Sequence, residues 1–322
     1  MASVGYLRPS MIQQNFPGAP KFTEKDIPDL SDRVYIVTGA NTGVGKELTQ
    51  ILYAANGTVY LACRSKGKAQ KAIEEIKAAA PGSRGRLAFL PLDLSDLSTV
   101  KPAVEAFKET EDKLDVLFNN AGVMIPPEDK KTAQGYDMQL GTNCLGPFLF
   151  TNLLTPTLRQ TAALRPRGSV RVVWVASMAA ELYSVKYGID MSNLKGKDYI
   201  RKQDPMTLYG NSKAGNYLHS FEYARQHKND DIISVGFFLR MSMQMFTKIM
   251  LHPRIYGAYT ELFAGLSPNV TVERTGQWIG PWGRFFNIRK DIAVGAKPTS
   301  EGGLGVAKQF WDWTIAQVTP FI

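Results

Sequence analysis

Cysteine is scarce in this chain of 322 residues: Cys63 and Cys144 are its two, far apart and each in an apolar context. That excludes a disulfide-stapled scaffold and predicts buried, reduced thiols of the kind kept in the cytoplasm. Long apolar runs are missing too. No stretch approaches the roughly 18–20 residues that cross a bilayer. The opening MASVGYLRPSMIQQNFPGAP has no signal-like apolar centre, so residues 1–30 read as a loose N-terminal extension. Charge of one sign is nowhere concentrated. The net charge of +9 is spread along the chain, and lysines often stand beside acids, as in KGKAQKAIEEIK at 66–77. That pattern is a solvated amphipathic helix, which disfavours nucleic-acid binding and leaves a mild attraction for anionic cofactors. Hydrophobic residues at 44% and charged residues at 21% describe an ordinary globular protein. No composition break, repeat or low-complexity tract marks a second domain, so residues 31–322 read as one.

What is present is organised around RVYIVTGANTGVGK at 33–46. Val34 to Val37 form a short β-branched run suited to a strand buried on both faces. Glycines follow at once in a G-x-x-x-G-x-G spacing, and Glu47–Ala55 reads as a helix with Leu48, Ile51 and Leu52 on one face. A strand, a glycine-rich turn and a helix start together make an anion site, because backbone can approach a pyrophosphate and helix N–H groups point at it. Gly39, Asn41, Thr42, Gly43, Val44 and Gly45 are the candidate contacts there. A merely structural turn has the same composition.

Strand and helix patterns then alternate. Strands are predicted at Thr58–Cys63, Arg86–Leu90, Leu114–Phe118, Ser169–Val175 and Ile232–Phe238. The intervening helices are predicted at Lys66–Ala80, Val100–Thr110, Tyr136–Leu158 and Leu208–Gln226. Connections long enough for crossovers imply an α/β domain with a doubly wound parallel sheet of the Rossmann type. From about 241 to 322 the pattern loosens and aromatics accumulate. That tail is expected to lie over the strand C-termini as an elaborated substrate cover, or else to seal the sheet edge.

The residues at the strand ends carry a resemblance. TGANTGVGK at 38–46, Asp93, NNAG at 119–122, Asn143, Ser177 and YGNSK at 209–213 stand in the order and places that resemble the short-chain dehydrogenase/reductase family, and more narrowly its retinol-dehydrogenase-like branch. ELFAGLSP, PWGR and the EGG and FWDW segments of the tail look like fungal reductases of that branch. The resemblance implies NADP(H) or NAD(H) as cofactor and a hydride-transfer reaction on a small molecule. It further implies that Asp93 meets the adenine amino group and that Asn120, Ala121 and Gly122 lie against the adenosine ribose. Asp93 could instead cap a helix. Arg64 follows the second strand where an acid would mark NAD, and an arginine suits a 2′-phosphate, so NADP(H) is favoured. Lys46, Lys68 and Leu94 complete the candidate cofactor contacts.

Tyr209 and Lys213 stand four apart on a predicted helix and so share a face. An ammonium beside a phenol favours the phenolate and is expected to lower its pKa, readying it to hand a proton to a carbonyl. By resemblance Lys213 also grips the nicotinamide ribose, Ser177 donates to the same carbonyl oxygen, and Asn143 holds a water in the proton relay. Met178, Glu181, Tyr183 and residues 188–207 are expected to wall the substrate. The family's Pro-Gly pair after the sixth strand is replaced by Arg240-Met241, which questions the nicotinamide seat and offers Arg240 as a substrate contact.

The sequence thus points to an NADPH-dependent reductase of a bulky hydrophobic carbonyl, in secondary metabolism and in the cytoplasm, with a homodimer and a monomer both open. The alternatives are a redox-silent NADP(H)-binding protein or a non-redox enzyme on the same fold. An epimerase acting on nucleotide sugars is disfavoured because the tail shows no subdomain for such a ligand.

Overall fold

The computed structural model describes residues 17–194, 203–239 and 253–322. Eight strands form one sheet in the order β3-β2-β1-β4-β5-β6-β7-β8. They are β1 Val34–Thr38, β2 Thr58–Cys63, β3 Arg86–Pro91, β4 Val116–Asn119, β5 Val170–Ser177, β6 Ile232–Leu239, β7 Trp278–Gly280 and β8 Arg284–Phe286. All neighbours are parallel except β7 and β8, which form an antiparallel hairpin. The order reverses at β1, between β2 and β4. That is where a doubly wound sheet opens a crevice at its strand C-termini.

The helices pack on the two faces of the sheet. The helices α1 Gly43–Ala54, α2 Lys66–Ala79 and α7 Arg254–Leu266 cover one side. The other side carries α3 Val100–Lys108, α4 Gly146–Leu164, α5 Ala179–Leu182, α6 Pro205–Gln226, α8 Lys290–Ala296 and α9 Val306–Val318. Alternation along β1 divides the cores: Val34 and Ile36 point into the second layer, Tyr35 and Val37 into the first. β1 is buried on both faces and is apolar up to Thr38, so it shows no polar alternation.

Three expectations need correction. The helix predicted over 136–158 is interrupted: Met138–Leu140 is helical, Gly141–Leu145 is a π turn, and only then does α4 begin. Residues 17–30 are tied down rather than loose. Phe22 packs edge-on against Phe263 at 6.2 Å, and Leu30 N–H donates to the Ala55 carbonyl at 2.8 Å. Residues 253–322 of the tail are regular, adding α7, α8, α9 and the β7–β8 hairpin. Its strands have three residues each, too few to show a period. Trp278 and Trp311 seal one core, and Phe263 and Phe285 lie in or against the other. Residues 240–252, with Arg240 and Met241, lie outside the described residues. Among the described residues no helix is long and apolar enough to cross a membrane.

Two buried charges test the packing. Arg171 donates to the carbonyls of Gly168, Ala264 and Ser267, so it caps the end of α7, where the helix dipole favours a cation. Glu261, on α7, is fully buried, and among the described residues neither carboxyl oxygen has a hydrogen-bond partner. Burial pushes its pKa well above the ordinary 4.5. The unfolded chain therefore releases this proton first, and stability falls as pH climbs past that value. Glu261→Gln is expected to raise the thermal midpoint by about 2–8 °C at pH 8 and to give no such gain near pH 4. Melting curves at the two pH values check this.

Candidate active site

Thr38, the last residue of β1, joins two strand ends. Its hydroxyl donates to the Phe118 carbonyl at 3.2 Å and accepts from Ala121 N–H at 2.9 Å, while the Asn120 amide donates to the Thr38 carbonyl at 2.7 Å. This fixes the loop after β4 against the glycine turn after β1. Gly39 takes φ +68°, where a side chain is strained, and donates to the Ala62 carbonyl on β2. A Cβ on Gly45 would sit 2.5 Å from the Asn120 amide nitrogen and 2.9 Å from the Gly39 carbonyl. Gly43, Val44 and Gly45 form the first turn of α1, where no acid stands and the Thr42 side chain makes no cap. Helix N–H groups are left for an anion.

Gly39, Asn41, Thr42, Arg64, Lys68, Asp93, Leu94, Asn120, Ala121 and Gly122 line one cavity of about 410 Å³ over the ends of β1 to β4. The Arg64 guanidinium lies 3.9 Å from the Asp93 carboxylate and is largely exposed. Asp93 accepts from the backbone and hydroxyl of Ser95, and the short helical turn that follows at Leu97 is capped by Asp96 instead. Lys46 does not face the cavity's anion site as expected; it is ion-paired with Glu75 on α2. Ser65, which caps α2, and Thr142 also line the cavity and were not foreseen. A serine after an arginine at a strand end was the available signal for the first. Thr142 gave none.

The second cluster stands at the end of β5. Ser177 is its last residue, Tyr209 lies on α6, and Lys213 follows one turn later; all three are buried. Lys213 Nζ donates to the Val175 carbonyl at 3.0 Å, beside the Asn216 amide at 2.9 Å on the same oxygen. Gly122 brings the two clusters together, since a Cβ there would lie 3.0 Å from Lys213 Nζ and 3.1 Å from Asn143 Oδ1. Asn143 sits inside the π turn, a distortion common at functional sites. Its amide donates to the Val123 carbonyl and the Ser212 hydroxyl, both at 2.9 Å, and its Oδ1 accepts from Val123 N–H at 2.8 Å. Ser212 Oγ donates in turn to the Tyr209 carbonyl. Asn143 thus braces the tyrosine helix. Met178 is half-buried, Tyr183 is exposed, and Arg240 lies outside the described residues.

The electrostatics differ from the expectation. Burial raises the Tyr209 pKa, and the hydrogen bond with Ser177 pulls it back only in part. Lys213 lies 5.8 Å from the centre of the Tyr209 ring, and burial lowers its own pKa to about 8. Spacing four apart guaranteed a shared face but not a primed phenol, because both groups are desolvated together.

A family model described as short chain dehydrogenase matches residues 33–189. A short-chain dehydrogenase/reductase from Phomopsis amygdali is 53% identical over 96% of this chain and 96% of its own. Among solved structures, NADPH-bound carbonyl reductase from chicken fatty liver superposes with TM-score 0.61 at 20% identity, covering 82% of this chain and 97% of its own. A 3-oxoacyl-[acyl-carrier protein] reductase with bound NAD from Brucella melitensis gives TM-score 0.58 at 18% identity, covering 78% and 90%. These two show the same fold.

Lys213 has a measurable cost. Its folded pKa lies below the ordinary 10.5, so the penalty for holding it charged is full below pH 8 and fades between pH 8 and 10.5. Lys213→Met is expected to stabilise the protein by on the order of 3 kcal/mol at pH 7. Denaturant titrations at pH 7 and 9.5 should show that gain shrinking at the higher pH.

Proposed function

Because the chain belongs to the short-chain dehydrogenase/reductase family, we propose that it is an NADPH-dependent reductase of a bulky, hydrophobic ketone or aldehyde, working in secondary metabolism. The observation that carries this reading is the meeting of Ser177, Tyr209 and Lys213 at the end of β5, joined through Gly122 to the glycine-floored cavity. The residues fit a dinucleotide: the uncapped start of α1 suits the pyrophosphate, and exposed Arg64 suits a 2′-phosphate. Bound there, NADPH supplies the hydride.

The protein's own groups handle the rest. The hydroxyls of Ser177 and Tyr209 hold the carbonyl oxygen, and Tyr209 Oη gives it a proton as the carbon is reduced. A raised phenol pKa keeps that proton in place until negative charge develops on the substrate oxygen. Lys213, still charged at neutral pH, steadies the phenolate left behind. Asn143 holds the helix that carries both, with a lone pair of Oδ1 free for a water in the relay. Met124, Ile125, Leu182 and Tyr183 are exposed apolar side chains just beyond β4 and β5, which suits an apolar substrate.

The buried free thiols support a reducing, cytoplasmic setting. A homodimer through α6 is disfavoured: among the described residues, 208–220 are buried throughout, and α9 covers this helix, with His219 stacked on Phe310 at 4.5 Å. A redox-silent binding protein is the second reading, and Arg240-Met241 in place of Pro-Gly is what favours it. Purified protein should oxidise NADPH when given apolar ketones from cyclohexanone through 1-tetralone to 9-fluorenone. Tight NADPH binding without oxidation across that panel would favour the second reading.

Two substitutions separate the roles. Tyr209→Phe is expected to cut turnover by about 10²–10⁴-fold while leaving NADPH affinity within about threefold, read by initial rates and fluorescence titration. Arg64→Asp is expected to weaken NADPH by about 10–100-fold and NADH little. Equal losses for the two nucleotides would refute the 2′-phosphate assignment.

A further inference from the structure

We propose that Arg289 and Asp291, at the start of α8, are positioning residues that hold the substrate wall between Ser177 and Tyr187 and so set which carbonyl compounds the site accepts. The proposal rests on the reductase reading above.

The wall has little regular structure of its own. From Ser177 the chain enters α5, which has four residues, too few to be stable alone. It then continues to Tyr187, where φ is +67°, a conformation that costs a non-glycine residue energy. The carbonyls that leave α5 and its following turn need donors from elsewhere.

Arg289 supplies them. Nη1 donates to the carbonyls of Glu181 at 2.8 Å and Ser184 at 3.2 Å, and Nη2 to Val185 at 2.7 Å. Nε and Nη2 also donate to the two Asp291 oxygens, at 2.6 and 2.9 Å. These contacts use all five N–H groups of the guanidinium. Asp291 in turn accepts from Tyr187 N–H at 2.8 Å, fixing the strained residue. The Arg289 side chain is only 15% exposed, so these bonds are made where water competes poorly.

The opposite side of the wall rests on the tyrosine helix. A Cβ on Gly210 would lie 2.6 Å from Ser184 N and 2.7 Å from the Tyr183 carbonyl carbon. Asn211 Oδ1 accepts from Val185 N–H at 2.9 Å. Gly210 and Asn211 directly follow the proton donor Tyr209. The wall is therefore clamped between the helix that carries the chemistry and a fork supplied by the last part of the chain. Arg289 acts through that wall, which bears Met178, Leu182 and Tyr183. Loosening it enlarges and blurs the substrate seat while leaving the nucleotide cavity, on the β1–β4 side, as it was.

The test compares wild type with Arg289→Lys, Arg289→Ala and Asp291→Asn. NADPH affinity by fluorescence titration serves as the control for folding and should stay within about twofold. In steady-state assays, Arg289→Lys is expected to raise KM for 9-fluorenone by about tenfold and for cyclohexanone by less than about twofold, with kcat little changed. A lysine has the charge but not the planar fork, so it should not restore what Arg289→Ala loses. Amide hydrogen exchange at Val185 and Tyr187 is expected to quicken by about 10²-fold in the alanine variant, with residues 212–220 unaffected. Arg289→Lys with wild-type KM for both ketones overturns the positioning role while leaving the reductase reading intact. Wild-type protein that oxidises no NADPH across the panel defeats the reductase reading, and the positioning role falls with it.

Discussion

Lys213 carries an ammonium into a place made hostile to charge, and the contacts that make this tolerable organise the site. Among the described residues no carboxylate pairs with it; its hydrogen bond is to the Val175 carbonyl, near the end of β5. A main-chain oxygen at a strand terminus is a rigid acceptor, so the lysine is held by the sheet itself. Gly122 lets the β4 loop lie close against Nζ, and Asn143, within the π turn, reaches the same place. The glycine, the widened helix and the buried cation are therefore one arrangement, and its cost in stability is what an unreacted site retains for chemistry.

The frame of the molecule was legible because its physics is local. β2 spans Thr58–Cys63 in sequence pattern and structure alike, since β-branched residues and a following cap at Ser65 define both ends. Several site residues were legible for the same reason, as the glycines, Asn120 and Ser177 sit where strands stop and the Tyr-x-x-x-Lys spacing lies on one helix. The interruption at Gly141–Leu145 is bounded by Gly141 and by Gly146-Pro147, breaker residues that the long helical reading passed over. What stayed hidden depends on contacts between distant segments. The docking of Phe22 on Phe263 joins residues at opposite ends of the chain. The direction of the Tyr209 shift follows from burial, which spacing on a helix does not report.

Two halves of the site have different owners. The nucleotide side is assembled from β1 to β4 and their loops, all within the first part of the chain. In the site as we propose it, the side facing a substrate borrows from the tail, through the Arg289 fork against the carbonyls after α5. A relative could keep the first half and still change its chemistry's target by altering residues far along the sequence.

The outermost strands carry a consequence of another kind. β8 has three residues and opens with Arg284, while β3 at the other rim begins with Arg86 and ends with Pro91. A short margin, a cation and an imino acid all discourage another sheet from adding its backbone. The hairpin also arrives late, after β6 has been made, and it covers an apolar strand that the growing polypeptide leaves open during synthesis. Shielding against self-association is therefore completed only when the final quarter of the molecule has folded onto the rest.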